Sequence, residues 1–349
     1  MFKTMRLLIV TQKVDRNDPI LGFFHRWIIE FAKHADHISV ICLEQGEYNL
    51  PKNVSIHSLG KENGVSRLQY IIQFYRYIWS LRNEYDAVFI HMNQEYVLLG
   101  APLWKLLRKK VTMWRNHHFG TMFTRIAVAL CEKVFCTSKY SFTARFKKTV
   151  IMPVGIDTDL FKRDETIVRT SNSILFLGRI SPVKRPDILI GAIALLKKKN
   201  ISAEAHLYGD PMLQDKRYFE FLKQKTQDLG IAESVHFHSG ILNEKTPTVY
   251  NQHELFVNAS PSGMYDKTIF EAMACESLIL TSNKNLYGQI DSSFLFEEGN
   301  KKDLSEKLKH LLELPTKERE RYGRILRSYV IERHGLALLS TKLLGYLDN

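Results

Sequence analysis

The densest group of chemically useful side chains lies in residues 260–276, SPSGMYDKTIFEAMACE. An apolar segment, LFVNA, leads into a Ser-Pro-Ser-Gly turn, and the pattern predicts a helix that begins at Asp266. Lys267 lies in its first turn and Glu271 follows four residues later, so the two side chains share one helix face. A helix N-terminus with a lysine suits a diphosphate, and a carboxylate one turn deeper can accept hydrogen bonds from a ribose diol. The segment therefore favours a nucleotide-sugar ligand, although Lys/Glu pairs at this spacing are also common on solvated helix faces.

A second cationic segment lies upstream, after the apolar run SILFLG that ends at Gly178. Arg179 and Lys184 follow it, and a helix is predicted to open at Pro186. Open α/β sheets bind phosphorylated ligands at such junctions, where a strand's carboxyl end precedes a helix N-terminus. The two segments together predict one phosphate-binding site.

The elements that must position these residues alternate along the chain. Apolar runs typical of buried strands are followed by helical patterns up to about Val154, and after a turn-rich stretch the alternation restarts with SILFLG. A chain of 349 residues, 45% apolar and 25% charged, exceeds what one core usually organises. We expect two α/β domains, each with a mostly parallel, doubly wound sheet.

Six motifs occur in the order and at the approximate spacing typical of one known family. They are CTSKYSF (136–142), PVGIDTDLF (153–161), FLGRISPVKRPDILI (176–190), HLYGDP (206–211), VHFHSG (235–240) and FEAMAC (270–275). The ordered set resembles the retaining glycosyltransferases of family 4. The resemblance covers nearly the whole chain and implies the α/β GT-B fold, two Rossmann-like domains with a cleft between them.

The resemblance also implies a division of the chain. Residues 1–154 would form an acceptor-side domain, residues 155–325 a nucleotide-sugar-binding domain, and residues 326–349 a terminal helix that crosses back to the first domain. The PVGIDTDLF segment resembles a hinge, about which domain closure would assemble the site and exclude water.

Site residues follow from the same resemblance. Arg179, Lys184 and the helix N-terminus at Lys267 would neutralise the donor diphosphate, Glu271 would hold the ribose, and His117 or its neighbour His118 would face the sugar. The remaining substrate-binding positions implied by the family are Gly22, Gly178, Gly209, Ile241, Gly263, Met264, Tyr265, Asp266 and Thr268. No cofactor and no metal are expected.

One position departs from the family pattern. Members commonly carry two donor-contacting glutamates with seven residues between them, and counting back from Glu271 places Gly263 at the first. The sequence GMYDKTIFE resembles a subset with an Asp-Lys pair before the second glutamate. A glycine supplies no carboxylate, although its backbone can approach a ligand closely. The departure leaves the donor sugar more open than the reaction class.

The resemblance thus implies a hexosyltransferase-type enzyme that moves a sugar from a nucleotide-diphosphate sugar to a hydroxyl acceptor with retention, in cell-surface glycan, polysaccharide or glycolipid biosynthesis. Two alternatives stay open. The missing glutamate is compatible with a catalytically silent sugar-nucleotide-binding protein or partner subunit, and a GT-B sugar-nucleotide epimerase would need no acceptor.

The net charge of +12 is unevenly placed. Residues 1–150 contain 22 Lys and Arg against 11 Asp and Glu, a net +11, whereas the remainder has 27 against 26, a net +1. The asymmetry indicates an anionic partner, and the segment 67–85, where aromatic and aliphatic residues alternate with arginines, fits a membrane surface or a lipid-linked glycan acceptor. A core-facing helix is the alternative for that segment. No nucleic-acid-binding motif occurs, so we expect no nucleic-acid partner.

Other patterns restrict the remaining classes. The chain has no run of about 18 apolar residues and no paired cysteines among Cys42, Cys131, Cys136 and Cys275, so we expect a reduced cytoplasmic protein, peripheral on the inner face of the membrane. The absence of G-x-G-x-x-G and Walker motifs argues against a dehydrogenase or a P-loop ATPase. His236 and His238 alternate on one strand face, a spacing compatible with metal, but the sequence indicates no third ligand.

Overall fold

The computed structural model describes residues 5–261 and 263–348, and Ser262 of the Ser-Pro-Ser-Gly turn lies outside them. The chain forms two compact units. The N-terminal unit runs to Gly155 and resumes at Leu336, whereas the C-terminal unit comprises Ile156–Gly335. Residues 326–335, expected in the returning helix, stay with the C-terminal unit.

The N-terminal unit contains a sheet of parallel strands in the order β3-β2-β1-β4-β5-β6-β7. The strands are β1 (Arg6–Val14), β2 (His37–Gln45), β3 (Val54–Ser58), β4 (Ala87–His91), β5 (Lys110–Trp114), β6 (Lys133–Cys136) and β7 (Thr149–Ile151). The apolar runs RLLIV, HISVICL, AVFIHM, VTMWRN, VFCTS and TVIMPV predict six strands, and each coincides with one of these, whereas β3 is not predicted. The apolar stretches are strands because β-branched and aromatic residues pack well on a pleated sheet covered on both faces.

Helices cover both faces of this sheet. They are α1 (Gly22–Ala32), α2 (Arg67–Ser80), α3 (Gln94–Leu106), α4 (Met122–Leu130) and α11 (Leu336–Asp348). Successive residues of β1 point to opposite faces, so Leu7 and Ile9 join the core under α1 and α11, while Leu8 and Val10 join the core under α2, α3 and α4.

Helix α2 is only partly a core helix. Its N-terminus is closed by a capping box between Ser66 and Gln69, and it buries just Phe74 and Ile78. Tyr70 and Tyr77 are half-buried against the same core. Five large apolar side chains of the helix remain exposed; they are Leu68, Ile71, Ile72, Tyr75 and Trp79. The core-facing interpretation of residues 67–85 therefore accounts for only one stripe of the helix.

The C-terminal unit contains a second parallel sheet, in the order β10-β9-β8-β11-β12. Its strands are β8 (Thr170–Leu177), β9 (Glu204–Tyr208), β10 (Val235–His238), β11 (His253–Asn258) and β12 (Leu278–Thr281). Its helices are α5 (Pro186–Lys198), α6 (Lys216–Asp228), α7 (Thr246–Gln252), α8 (Lys267–Ala274), α9 (Lys301–Leu312) and α10 (Thr316–His334). Each unit thus has the strand-helix alternation of a Rossmann-like domain.

The terminal helix expected over residues 326–349 is divided between two helices. Helix α10 ends at His334, Gly335 is extended, and α11 begins at Leu336. The backbone N–H of Ile156 donates to the carbonyl of His334 at 2.9 Å, which ties the first residue of the C-terminal unit to the end of α10. Across residues 5–261 and 263–348, no helix is both long and apolar enough to cross a bilayer.

Candidate active site

The phosphate-binding segments predicted from the sequence meet at the switch point of the C-terminal sheet. Strand β8 lies between β9, the next strand in the chain, and β11, to which the chain returns later. Open α/β sheets bind ligands outside the carboxyl ends of the strands at such a point. The segment 178–185 follows β8 and the segment 259–266 follows β11, so both border this crevice.

Two side chains join these segments directly. The ammonium of Lys184 forms an ion pair with the carboxylate of Asp266, and their side chains are 24% and 16% exposed. Asp266 also accepts from Asn258 Nδ2 at 3.0 Å and from Ser260 Oγ at 3.5 Å, while Thr268 Oγ1 lies 3.5 Å from the same Asn258 nitrogen. The cation predicted to meet the diphosphate is therefore fixed at the crevice.

The ionisation of Asp266 follows from these contacts. Burial acts to raise the pKa of its carboxyl, but the charge of Lys184 and hydrogen bonds from Lys184, Asn258 and Thr268 outweigh it and hold the pKa below its usual value. Asp266 is consequently an anion that positions Lys184. It precedes α8, which begins one residue later than the sequence predicts, and its side chain makes no capping hydrogen bond to that helix.

Two predicted glycines allow three strand ends to lie in contact. Gly178 N–H donates to the carbonyl of Tyr208 at 3.0 Å, and Gly209 N–H donates to the carbonyl of His238 at 3.1 Å. Gly178 and Gly209 have φ of 149° and 152°, and a Cβ at Gly209 would lie 1.9 Å from the carbonyl oxygen of Gly178. Only glycine fits there, and the contact fixes the loop that carries Arg179.

Arg179 and Ile241 lie on the same edge of the sheet. Arg179 is exposed directly after β8, where its Nη1 lies 3.0 Å from the sulfur of Met212. Ile241 is half-buried in the loop that follows β10. Arg179 is thus available to a ligand as a surface cation, whereas Lys184 is held by its partner.

Helix α8 carries the predicted Lys267 and Glu271. Glu271 is buried, with 4% of its surface exposed, and its Oε2 accepts from Tyr250 Oη at 3.0 Å and its Oε1 from Asn243 Nδ2 at 3.5 Å. Burial raises the pKa of Glu271, and the positive charge of Lys267 and the hydrogen bonds from Tyr250 and Asn243 oppose that rise. Burial lowers the pKa of Lys267, and the negative charge of Glu271 opposes that decrease. Such an environment strengthens hydrogen bonds to a bound ligand.

Two asparagine side chains that follow β12 hold the backbone of the loop 263–265 by hydrogen bonds. Asn283 Nδ2 donates to the carbonyl of Met264 at 2.7 Å and Asn285 Nδ2 to that of Gly263 at 3.4 Å. The ring of Tyr265 packs edge-on against Phe270 at 4.8 Å, so this side chain serves packing within the unit. Gly263 has φ of 143° and a Cβ there would meet no atom within 4 Å.

In the N-terminal unit, Gly22 lies at the start of α1 in a loop that charged groups hold. Its N–H donates to the carbonyl of Asp18 at 2.9 Å, and the Asp18 carboxylate accepts from the backbone of Ile20 and Leu21. Lys13, at the end of β1, contacts Asp18, Asp15 and Glu44 at 3.0–3.2 Å. Because a Cβ at Gly22 would lie 2.9 Å from the Arg16 carbonyl oxygen, the loop favours glycine.

His117 lies in the loop after β5 and is exposed, as is His118, whose ring stacks on it at 5.0 Å. The N–H of Phe119 donates to His117 Nδ1 at 3.0 Å, and the carbonyl of Phe119 lies 3.1 Å from the same nitrogen. With Nδ1 accepting, the neutral ring carries its proton on Nε2 and can donate it. Residues of the CTSKYSF motif hold this loop: Phe142 N–H and Ser141 Oγ both donate to the His117 carbonyl.

Sequence reasoning missed the polar residues that support the site. Asn243, Tyr250, Asn258, Asn283 and Asn285 hold the predicted residues in place. Three of them had a usable signal, because Asn258 ends β11 while Asn283 and Asn285 follow β12, at the sheet edge where ligands bind. Asn243 and Tyr250 had none, since nothing in their sequence surroundings indicates contact with α8.

Residues 157–328 match the family profile described as glycosyl transferases group 1. Among curated proteins, the mannosylfructose-phosphate synthase of Agrobacterium fabrum is 32% identical over 104 residues, 29% of this chain and 23% of that protein. The D-inositol 3-phosphate glycosyltransferase of Geodermatophilus obscurus is 25% identical over 148 residues, 39% of this chain and 33% of that protein. The match therefore spans a third or less of these relatives' length.

Solved structures match over nearly the full chain. Anabaena HepE, solved in complex with UDP, aligns with a TM-score of 0.79 at 18% identity and covers 98% of this chain and 99% of its own. The similarity of fold extends over both Rossmann-like units, as the GT-B architecture requires. Residues 157–328 thus belong to the glycosyl transferases group 1 family, on a chain with the GT-B fold.

Proposed function

We propose that this protein is a retaining glycosyltransferase that moves a sugar from a nucleotide-diphosphate sugar to a hydroxyl acceptor, in cell-surface glycan or glycolipid synthesis. The observation that carries the proposal is the joining of the two cationic segments at the switch point of the C-terminal sheet by Lys184 and Asp266. A diphosphate bound there would meet Lys184, Arg179 and the N-terminus of α8 together.

The proposed chemistry is electrostatic. As the glycosidic bond breaks, negative charge accumulates on the leaving diphosphate and the sugar acquires oxocarbenium character. Arg179 and Lys184 would stabilise that charge without a metal ion, and an anion at the start of α8 would take the place of the side-chain cap that Asp266 does not supply. We expect EDTA to leave turnover essentially unchanged, and loss of activity restored by Mn²⁺ or Mg²⁺ would contradict the two-cation mechanism.

Glu271 and His117 would orient the two ends of the donor. Each carboxylate oxygen of Glu271 accepts one hydrogen bond within the protein and has a second lone pair for a ribose hydroxyl. The Nε2–H of His117 would donate to the donor sugar. The backbone of residues 263–265, anchored by Asn283 and Asn285, would approach the sugar where other family members place a glutamate.

The donor can be identified before the acceptor. Thermal unfolding is followed with UDP-, GDP- and ADP-sugars in turn, since a ligand at 100 times its dissociation constant stabilises the folded state by about 2.7 kcal/mol. The structures of HepE with UDP and with UDP-glucose make UDP-sugars the first choice. Stabilisation by none of these donors would contradict the proposal.

The glycine at position 263 favours one alternative, a sugar-nucleotide-binding protein without turnover. Release of nucleoside diphosphate separates the cases. A transferase releases it only with an acceptor hydroxyl, a hydrolysing epimerase releases it together with the free epimerised sugar as water is added, and a silent protein binds the donor and releases nothing. For a transferase, the NMR coupling of the new anomeric proton reports whether configuration is retained.

We further propose that the N-terminal unit rests on an anionic membrane surface and takes a lipid-linked acceptor. The exposed side chains of Leu68, Ile72 and Trp79 on α2 lie in the half of the sequence that carries a net charge of +11. Insertion of these apolar side chains into the membrane surface would act together with the attraction of basic side chains to anionic lipids. Each cationic side chain near the surface contributes about 1 kcal/mol.

Vesicle co-sedimentation tests the surface. The protein should pellet with anionic vesicles at low salt, remain in solution with neutral ones, and lose binding when Leu68 and Ile72 are both changed to Glu. Val168→Glu is the matched control, because Val168 is 86% exposed in the C-terminal unit. Lys109 and Lys110 are poor choices for variants, since their ammonium groups donate to backbone carbonyls of Tyr85 and Asp348. Equal binding to anionic and neutral vesicles would refute the proposal.

A further inference from the structure

Three side chains that the proposed transfer does not use meet on one face of the C-terminal sheet. Glu204 and His206 belong to β9 and His236 belongs to β10. The parallel register places His206 directly beside His236, and residues two apart on a strand share a face. Glu204 Oε2 lies 3.7 Å from His206 Nε2 and 3.6 Å from His236 Nε2.

These separations suit a common metal ion. Ligand atoms of all three residues lie within 4.8 Å of one another, and the two imidazole rings are stacked with centroids 4.7 Å apart. Zinc binds nitrogen and oxygen ligands at about 2.0–2.2 Å, so tetrahedral geometry places two ligands about 3.4 Å apart. The two distances from Glu204, 3.7 and 3.6 Å, are already close to that value, and rotation of the Glu204 and His236 side chains would bring the three ligand atoms to it.

His206 is also oriented for this role. Its Nδ1 lies 3.2 Å from Nε2 of His238, the next residue of β10 on the same face. When Nδ1–H donates in this hydrogen bond, the lone pair of His206 lies on Nε2. That nitrogen is inaccessible to solvent and, within residues 5–261 and 263–348, has no hydrogen-bond partner. Metal-binding histidines are typically oriented in this way by a hydrogen bond at the other ring nitrogen.

We propose that Glu204, His206 and His236 bind one Zn²⁺ ion per chain, with a water molecule as fourth ligand and His238 as a positioning residue. Two imidazoles and a carboxylate are a ligand set found in zinc sites with an open position, and the Glu204 and His236 side chains, 52% and 38% exposed, give solvent access to it. Because β10 is an edge strand, the ion would fasten it to β9. The sequence indicated no third ligand for the β10 histidines, since the register that brings β9 beside them is not visible in it.

The test uses untagged protein freed of metal by a chelator. Zn²⁺ is titrated by calorimetry, and Co²⁺ is titrated as a spectroscopic probe whose visible absorption reports a tetrahedral site. We expect one ion per chain, a higher melting temperature with Zn²⁺, and no such response to Mg²⁺, which prefers oxygen ligands. Glu204→Gln and His236→Gln should each weaken Zn²⁺ binding by at least about tenfold, and His238→Gln by about tenfold, the lower end of the range for residues that orient metal ligands.

The controls separate this site from background binding and from the proposed reaction. His310→Gln changes an exposed histidine on α9 and should bind Zn²⁺ as the wild type does. His236→Gln should keep full transfer activity. Because Glu204 is exposed and His236 is only half-buried on the edge strand β10, their replacement leaves the core intact. Failure of the wild type to bind Zn²⁺, or equal binding by wild type, Glu204→Gln and His236→Gln, would overturn the proposal.

Discussion

Replacing Glu271 by Gln tests the proposed ribose contact most directly. The substitution keeps the shape of the side chain and removes the negative charge that the carboxylate carries above its pKa, which burial raises to about 7. In the wild type, Oε2 accepts from Tyr250 and Oε1 from Asn243, and both partners present a donor hydrogen. A glutamine amide offers one oxygen and one NH₂ group, so it keeps both contacts only if the Tyr250 hydroxyl accepts instead of donating, or if the Asn243 amide turns over to present its oxygen.

The magnitude follows from the type of hydrogen bond. Hydrogen bonds to a charged acceptor contribute about 1.5–3 kcal/mol each, against about 1 kcal/mol for neutral pairs. Loss of the charge, with the ribose hydroxyls still in place, should therefore weaken binding of the nucleoside diphosphate by about 1–2 kcal/mol, or about 5- to 30-fold in Kd. Tyr250→Phe removes one of the hydrogen bonds that hold the carboxylate and should have a smaller effect in the same direction.

Isothermal titration calorimetry with the nucleoside diphosphate of the identified donor gives these dissociation constants, at a pH above the raised pKa of Glu271 so that the wild-type carboxylate is charged. Glu233→Gln removes an exposed carboxylate of the same unit and provides the control. The free nucleotide is the right ligand because it contains the ribose and lacks the sugar. If the wild type and a folded Glu271→Gln variant bind the nucleotide equally, the assignment of Glu271 to the ribose is wrong.

Four further substitutions test the rest of the site. Arg179→Ala and Lys184→Ala should each lower kcat/KM, by a factor that corresponds to an activation barrier about 2–4 kcal/mol higher. Unchanged turnover in both variants would contradict the assignment of these residues to the diphosphate. His117→Ala should reduce transfer but leave the calorimetric affinity for free nucleoside diphosphate unchanged. A parallel loss of nucleotide affinity would contradict the proposed contact of His117 with the donor sugar. Asp266→Asn should destabilise the C-terminal unit at pH 7 by about 1–3 kcal/mol, because a charged hydrogen-bonded pair is lost. Because Lys184 holds the pKa of Asp266 below its usual value despite burial, this stabilisation is present above about pH 4 and is lost as the pH falls through the folded-state pKa. Urea unfolding followed by circular dichroism should therefore show the difference in unfolding free energy between wild type and variant shrinking toward pH 3.

The distribution of tryptophan helps to assign such unfolding data. All four tryptophans, Trp27, Trp79, Trp104 and Trp114, lie in the N-terminal unit. Tryptophan fluorescence therefore reports that unit, whereas circular dichroism reports both. A change at Asp266 should move the dichroism transition and not the fluorescence transition, if the two units unfold separately.

Much of the fold could be predicted because both sheets are parallel and buried on both faces. Such strands are continuous apolar runs, as in RLLIV and SILFLG, and each is followed by a helical pattern. Strand β3 was missed because all five of its residues are only half-buried at the sheet edge, so VSIHS lacks a strong apolar signal. The break at Gly335 was missed because the helical pattern continues on both sides of it.

The site could be predicted only where the chemistry is local. Lys267 and Glu271 lie on one helix, so their spacing alone places them on one face. The contact between Lys184 and Asp266 joins residues 82 positions apart and depends on the order β8-β11 in the sheet. The three residues of the proposed zinc site similarly depend on the register between β9 and β10.

The glycine at position 263 affects more than a missing carboxylate. A side chain there would meet no atom within 4 Å, so space is not the obstacle. The obstacle is the backbone, because φ of 143° is a conformation that residues with a Cβ rarely adopt. Asn285 bonds the carbonyl of this residue and Asn283 that of the next, which fixes the conformation. Restoring a glutamate at this position would therefore require the loop to give up its hydrogen bonds to both asparagines, so the proposed contact with the donor sugar would change in its backbone as well as in its side chain.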